Sequence, residues 1–218
     1  MDISVSIKAV TEGTNLPFDT MSKIMEAMMR GEISEVQIAA FLVAMRMKGE
    51  TTEEIAAAAT IMRDFASSVN IDTYPLVDTC GTGGDGSHTF NISTAAAVVV
   101  AACGGHVAKH GNRAASSSSG SADVLETAGA KIDLSTKQIA ECINSVGIGF
   151  MFAPSHHGAT RFAGKVRKQI GARTLFNILG PMTNPAGADR QVMGVFEKSW
   201  IKNVAEVLSK LGTKHGLV

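Results

Sequence analysis

The hydrophobic period of this chain changes once, at Tyr74-Pro75, and that change sets what the chain can fold into. Up to about residue 70 every periodic run has helical spacing. Met21, Ile24, Met25, Met28 and Met29 recur at i, i+3, i+4, i+7 and i+8, and Ile55, Ala58, Ala59, Met62 and Phe65 share one face of a later helix. Ser34 to Gln37 and Thr51 to Glu54 both match the capping box, in which a hydroxyl and a carboxyl or amide satisfy the free amides of a helix start. The methionine stripe has two readings, an adaptable binding surface or a helical core; the second is favoured, because methionine commonly fills irregular gaps between helices.

After Pro75 the pattern becomes strand, helix, strand. Leu76-Val77-Asp78 reads as a short strand, followed by a glycine-rich loop and an apolar helix from about Ser93 to Cys103. Gly104-Gly105 stops that helix and His106-Val107-Ala108 opens a second strand. Such a unit implies a parallel sheet. Further helices are expected near 122–128, 135–146 and 199–211, and further strands at 149–153 and 191–196. The fold class is therefore α/β: a small helical domain over 1–72 and a larger α/β domain with a mainly parallel sheet over 73–218. Abundant glycine (22 residues) and scarce aromatics (5%) suit that mixture. His215 to Val218 reads as the entry to another buried strand, so the α/β domain is expected to be incomplete at its C-terminus and the chain to be a piece of a longer protein.

Lys plus Arg (20) equals Asp plus Glu (20), which leaves no global basic field of the kind nucleic-acid binders carry. A polyanionic ligand must then be met by local groups. The three cysteines, Cys80, Cys103 and Cys142, are odd in number and show no CxxC, which argues against a disulfide framework or a zinc site. The N-terminus has no signal-peptide pattern, and the longest apolar run, Ala95 to Cys103, is too short to span a bilayer. These features predict a soluble, cytoplasmic protein without membrane or nucleic-acid partners.

Gly81-Thr82-Gly83-Gly84-Asp85-Gly86 follows the first strand directly, where glycines let backbone amides approach a phosphate. The run also matches GxGxxG. A dinucleotide site, however, needs a helix opening on the loop itself and an acid at the end of the next strand. Here the helix opens later, at Asn91-Ile92-Ser93-Thr94, and the second strand runs into Lys109-His110. A phosphorylated sugar fits better. Asn91, Ser93 and Thr94 stand at a helix N-terminus, where free amides favour an anion, although at least one of them is expected to act as an ordinary cap. Lys109-His110-Gly111-Asn112-Arg113 adds two fixed cations and an imidazole at a strand's C-terminal end, the sheet edge where such folds bind ligands. Ser116 to Ser119, Gly120 and Ser121 supply hydroxyls and amides before the next helix. Asp85 would repel a pyrophosphate; it suits ligand hydroxyls or a divalent metal, and capping its own turn is nearly as good a reading. His156-His157 does not read as a metal pair, because adjacent side chains point apart.

Together the Gly81–Asp85 loop, the Asn91–Thr94 turn, the Lys109–Arg113 strand end and the run Asn177-Ile178-Leu179-Gly180-Pro181-Met182-Thr183-Asn184-Pro185 resemble anthranilate phosphoribosyltransferase along the whole chain. The resemblance implies a two-domain fold of the nucleoside phosphorylase and phosphoribosyltransferase type. The active site would lie in the cleft between the domains, the helical domain would form a homodimer, and helices around 155–172 would pack back on it. It implies transfer of the phosphoribosyl group of 5-phosphoribosyl 1-pyrophosphate to the amine of anthranilate, with Mg2+, in tryptophan biosynthesis.

By position, Gly81, Gly84, Asp85, Thr89, Asn91, Ile92, Ser93, Thr94, Lys109, His110, Gly111, Asn112, Arg113, Ala114, Ala115, Ser116, Ser117 and Ser121 would hold the phosphoribosyl pyrophosphate, and Ser93 would touch the metal. Gly81, Asn112 and Arg167 would meet anthranilate; a guanidinium suits its carboxylate. No residue is implied as a general acid or base. Two departures stand out: Ala114, Ala115 and Ser118 replace a pattern that often has a serine first and a lysine at position 118, and the Asp-Glu pair associated with magnesium falls beyond Val218. A pyrimidine nucleoside phosphorylase, with a similar two-domain plan, is the competing enzyme reading. A fold relative that binds nucleic acid is the competing non-enzymatic one.

Overall fold

In the computed structural model, which describes residues 2–84, 86, 89–114 and 119–218, the chain begins with α1 (Ile3–Thr11), α2 (Phe18–Arg30), α3 (Glu35–Lys48) and α4 (Thr52–Asp64). Next come β1 (Leu76–Asp78), α5 (Ile92–Ala102), β2 (His106–Gly111), α6 (Ser121–Thr127), α7 (Thr136–Val146) and β3 (Ile148–Phe152). The run closes with α8 (Ala153–His156), α9 (Arg161–Ile170), α10 (Phe176–Leu179), β4 (Arg190–Val192), α11 (Trp200–Lys210) and β5 (His215–Leu217). These elements form two compact units: Met1–Ala66 with His157–Thr183, and Ser67–His156 with Asn184–Val218.

The first unit is helical. The five methionine-stripe residues of α2 are all within 2% of complete burial, so the stripe is core. Four consecutive alanines of α4, Ala56 to Ala59, are buried too, and their small side chains let α2 and α4 approach closely. Both capping boxes form. α9 packs on α2 and α3, where Phe162 lies so close over Gly31 that a Cβ there would meet its ring at 2.6 Å. Gly31 also sits at φ +75°, so both space and backbone require glycine.

The second unit is a five-stranded sheet in the order β3-β2-β1-β4-β5, with every pairing parallel. One face packs Leu76, Ala108 and Met151 against Ile139 and Ile143 of α7, together with Val69, Ile71, Ala186 and Ala188. Residues 67–72 run with this unit, since Val69 and Ile71 join its core and Val69 N donates to Pro185 O. β4 spans only three residues, shorter than the alternation over 191–196 predicts, and β5 is exposed along its length instead of buried.

Candidate functional site

Strand order determines where a ligand can enter the α/β unit. From β1 the chain moves to β2 and β3 on one side, then crosses to β4 and β5 on the other, so the order reverses between β1 and β4. Open α/β sheets bind ligands at the C-terminal ends of the strands beside such a reversal. The glycine loop lies there. Thr82 N donates to Gly194 O (2.9 Å), and a Cβ on Gly81 would sit 2.9 Å from that same oxygen. Any side chain at position 81 would push the loop away from β4. Gly83, Gly84 and Gly86 take φ of +64°, +72° and +68°, which turns backbone amides in ways L side chains resist.

α5 opens at Ile92, after a long loop from β1. Asn91 holds the cap position, but no side chain caps the helix, which differs from the expectation of an ordinary cap. The Asn91 amide is instead paired with Ser119, its Nδ2 donating to Ser119 O (3.2 Å) and its Oδ1 accepting from Ser119 Oγ (3.0 Å). Within the first turn Ile92 N already donates to Phe90 O (2.7 Å) and Thr94 N to Asn91 O (3.0 Å), so the eleven-residue helix offers an anion its Ser93 amide and the positive end of its dipole.

Beneath them lies a group of buried polar side chains. Lys109 is 1% exposed and donates to Thr79 Oγ1 (3.2 Å) and Ser93 Oγ (3.4 Å). Thr79 Oγ1 in turn donates to Ser93 O (2.8 Å). Burial pulls the Lys109 ammonium down, against the fields of Cys80 and Asp78. Asp78 is fully buried, and its carboxylate accepts from Cys80 N (3.1 Å), His110 N (3.2 Å) and Asn184 Nδ2 (2.8 Å). Burial pushes its pKa up to about 6, outweighing the Asn184 amide, the Lys109 charge and the two backbone donors. The Cys80 thiol is likewise pushed up, by burial and then by Asp78. The positive charge of Lys109 therefore sits directly under the Ser93 hydroxyl and the start of α5, rather than on a surface.

The end of β2 differs from its sequence reading. His110 is buried, and Gly111 packs so that a Cβ would meet the Phe150 ring at 2.8 Å and Ser121 Cβ at 3.0 Å. Asn112 is exposed, with Oδ1 accepting from Arg113 N (2.7 Å). Arg113 is already engaged in the structure. Its guanidinium pairs with Asp123 (3.0 Å) and Glu126 (2.7 Å) and lies 5.7 Å from the Phe152 ring centroid. Thr89 and Ile92 are exposed, Gly84, Ser93, Ala114 and Ser121 half-buried, and Thr94 buried. The calls on Asp85, Ala115, Ser116 and Ser117 fall outside the described residues.

Among the described residues no cluster of three or more His, Cys, Asp or Glu could hold a metal. Ser93 offers one hydroxyl with an ammonium 3.4 Å away, which is not a magnesium cage. Such a site fits only an ion that arrives already bound to phosphate oxygens and water.

Arg167 belongs to the helical unit. Its guanidinium carbon lies 5.1 Å from the Phe176 ring centroid, its Nε is buried without a hydrogen-bond partner, and burial alone lowers its pKa. Among the described residues it has no acidic partner within salt-bridge distance, unlike Lys165 on the same helix, which pairs with Glu35 at 2.9 Å. The two histidines do diverge, as adjacency predicts: His156 Nδ1 meets Ser67 O (2.9 Å) and His157 Nε2 meets Thr183 Oγ1 (3.5 Å).

Sequence reasoning assigned no role to Asp78, Thr79, Asp123 or Asn184. The signal for Asn184 was its place in the Asn177–Pro185 run; its amide joins Asp78 to Ala108 O (2.8 Å) and so ties β1 to β2. The other three carry no motif by themselves.

With this geometry in view, the comparisons with known proteins agree. The model of the glycosyl transferase family, helical bundle domain, matches residues 5–66, and that of the glycosyl transferase family, a/b domain, matches 73–218. The chain is 56% identical over all 218 residues to an anthranilate phosphoribosyltransferase of Thioalkalivibrio sulfidiphilus, and 55% identical to that of Cellvibrio japonicus. It spans 64% of the length of each of these relatives. Among solved structures, the anthranilate phosphoribosyltransferase of Thermus thermophilus superposes with a TM-score of 0.92 at 46% identity, covering 99% of this chain and 66% of that one. The Saccharomyces cerevisiae enzyme, in complex with PRPP and Mg, gives 0.81 at 26% identity, covering 94% and 60%.

Proposed function

The chain belongs to the glycosyl transferase family, with both its helical-bundle and its a/b parts, and from that premise we propose that it transfers the phosphoribosyl group of 5-phosphoribosyl 1-pyrophosphate to the amine of anthranilate, releasing pyrophosphate, as a step of tryptophan biosynthesis. The observation that carries this reading is the uncapped start of α5 with the Lys109 charge held beneath Ser93, beside the glycine loop at the strand-order reversal. These are three separate devices for a phosphorylated ligand, at one sheet edge. The relatives named above carry the same activity in their names, and one was solved with PRPP and Mg.

The reaction places particular demands on these residues. The bond from ribose C1 to pyrophosphate oxygen breaks, its electron pair leaves with pyrophosphate, and the anthranilate nitrogen forms the new bond to C1. The amine then releases a proton to water or to the departing pyrophosphate. An aromatic amine is neutral and nucleophilic at pH 7, so no strong base is needed. The chain's contribution is to position the reactants and to stabilise the charge that develops on the leaving group. The amides of the glycine loop and the Ser93 amide at the α5 start do this, with Lys109 strengthening their field. Ser93 is the described side chain that would touch a magnesium ion, whose positive charge would offset the negative charge of the leaving pyrophosphate. Arg167, stacked on Phe176 and with no acidic partner among the described residues, is suited to the anthranilate carboxylate, and Asn112 to orienting the same substrate.

We also propose a homodimer through the helical unit. Val36, Val43 and Met47 form an exposed apolar stripe on α3, at 79%, 40% and 83% exposure. A reducing, cytoplasmic setting agrees with three free cysteines, and among the described residues no helix is long and apolar enough to cross a membrane. The test is anthranilate fluorescence on mixing the chain with PRPP and magnesium. The fluorescence is expected to change as product forms. Phosphorolysis of thymidine or uridine with no use of anthranilate would instead identify a nucleoside phosphorylase.

A further inference from the structure

We infer that Asp123, Ser119 and Asn91 form a positioning clasp that holds Ala114 and Gly120 against the first turn of α5, setting the spacing between the end of β2 and the start of α5. The inference rests on the function proposed above.

Asp123 Oδ2 accepts from Gly120 N (2.7 Å) and also from Ala114 N (3.0 Å). An ordinary capping box at the start of α6 would take only the Gly120 amide. Here one carboxylate oxygen gathers the amides of Ala114 and Gly120. Its other oxygen takes Arg113 (3.0 Å), which Glu126 holds from the far side through both guanidinium nitrogens (2.7 and 3.2 Å). The two residues are in backbone contact, because a Cβ on Gly120 would run into Ala114 N and would lie 2.6 Å from Asn112 O. Ala122 N completes the closure by donating to Asn112 O (3.2 Å).

Gly120 is then joined to α5 through its neighbour. Ser119, next to Gly120, makes the reciprocal pair with Asn91 described above. Asn91 O in turn accepts from Thr94 N and Ala95 N, both at 3.0 Å. A continuous set of bonds therefore runs from Asp123 through Gly120 and Ser119 to the first turn of α5. Arg113 takes part in the same frame. Donors held at fixed spacing before the ligand arrives need no reorganisation when it binds, which is where positioning residues exert their effect.

Asp123→Asn and Ser119→Ala test the clasp separately in the complete chain. Asparagine keeps one oxygen and no charge, so it cannot hold both amides on one oxygen and Arg113 on the other, and the amide bonds lose their charge assistance. Each variant is expected to speed amide hydrogen exchange at Thr94 and Ala95, far along the sequence from either substitution, and to weaken PRPP binding by about tenfold. Melting temperature should move by no more than roughly 3 °C, and anthranilate affinity should not move. Because both substitutions break one device, the double variant should lose little more PRPP affinity than the weaker-binding single. Unchanged exchange at Thr94 and Ala95 in both singles, or fully additive losses of affinity, would overturn the inference. If the unaltered chain does not bind PRPP, the proposed function fails, and the exchange measurement still decides the clasp. Should Asp123→Asn fail to fold, Ser119→Ala alone decides it.

Discussion

Each of the two units buries a lysine, and the two are held in opposite ways. Lys48, in the helical unit, donates to Asn15 Oδ1 (2.9 Å), Gly49 O (2.7 Å) and Glu54 Oε2 (2.9 Å), so all three of its protons are placed. Glu54 is just as fully engaged, accepting from Leu16 N (2.8 Å), Thr51 N (2.8 Å) and Thr51 Oγ1 (3.0 Å). Lys109, in the α/β unit, reaches two hydroxyl oxygens, and among the described residues no carboxylate lies within salt-bridge distance. The nearby acid, Asp78, directs its oxygens to backbone amides and to Asn184. A buried charge that is paired and fully hydrogen-bonded acts as a structural lock. One whose partners among the described residues are two hydroxyls below a helix start keeps a field directed at a ligand.

The comparison breaks first at Glu54. Glu54→Ala leaves the Lys48 ammonium, 3% exposed, with no counter-charge, and should cost about 3–5 kcal/mol. Denaturant unfolding measures it; a loss below about 1 kcal/mol would show the pair to be no lock. Next comes pH. The Asp78 carboxyl, with its pKa raised to about 6 in the fold against 3.8 ordinarily, binds protons more tightly folded than unfolded. Its contribution to stability is greatest when protonated, below about pH 4. It declines as pH rises to about 6 and stays lower above, by roughly 2–3 kcal/mol. Melting scans should show that slope in the unaltered chain and not in Asp78→Asn, although losing the acceptor for Asn184 lowers stability overall. Arg167→Ala should weaken anthranilate binding about tenfold, read by fluorescence titration; an unchanged affinity would count against the assignment. Smallest of all, Lys109→Met should change stability by no more than about 1 kcal/mol in either direction, because it removes a buried charge with no carboxylate at salt-bridge distance among the described residues. A loss as large as that of Glu54→Ala would erase the contrast between the two lysines.

How much of this was legible in the sequence follows from how local each feature is. The capping boxes at Ser34 and Thr51, the methionine stripe of α2, and the strand, helix, strand order from Leu76 to Gly111 are set by neighbours within a few residues, and pattern reading found them. The glycine loop and its company could be read from sequence as a candidate anion site, because residue types and spacing are what that reading needs. The rest depends on partners far apart along the chain. Nothing near Asp78 announces Asn184, and nothing near Ser119 announces Asn91. Arg113 reads as an open cation until Asp123 and Glu126 come into view, one and two turns into the next helix region. The double role of Glu54, helix cap and counter-ion at once, needed the position of Lys48. β5 was read as buried from its apolar residues, and its exposure came from the sheet order that places it at an edge.

The central claim is that Lys109 and the α5 start form a site for 5-phosphoribosyl 1-pyrophosphate. Calorimetric titration of PRPP with magnesium into the unaltered chain and into Lys109→Met tests it most directly. Saturable binding at one site per chain is expected, weakened about 100-fold in Lys109→Met while its melting temperature holds. Equal binding by both proteins, or none by the unaltered chain, would contradict the account.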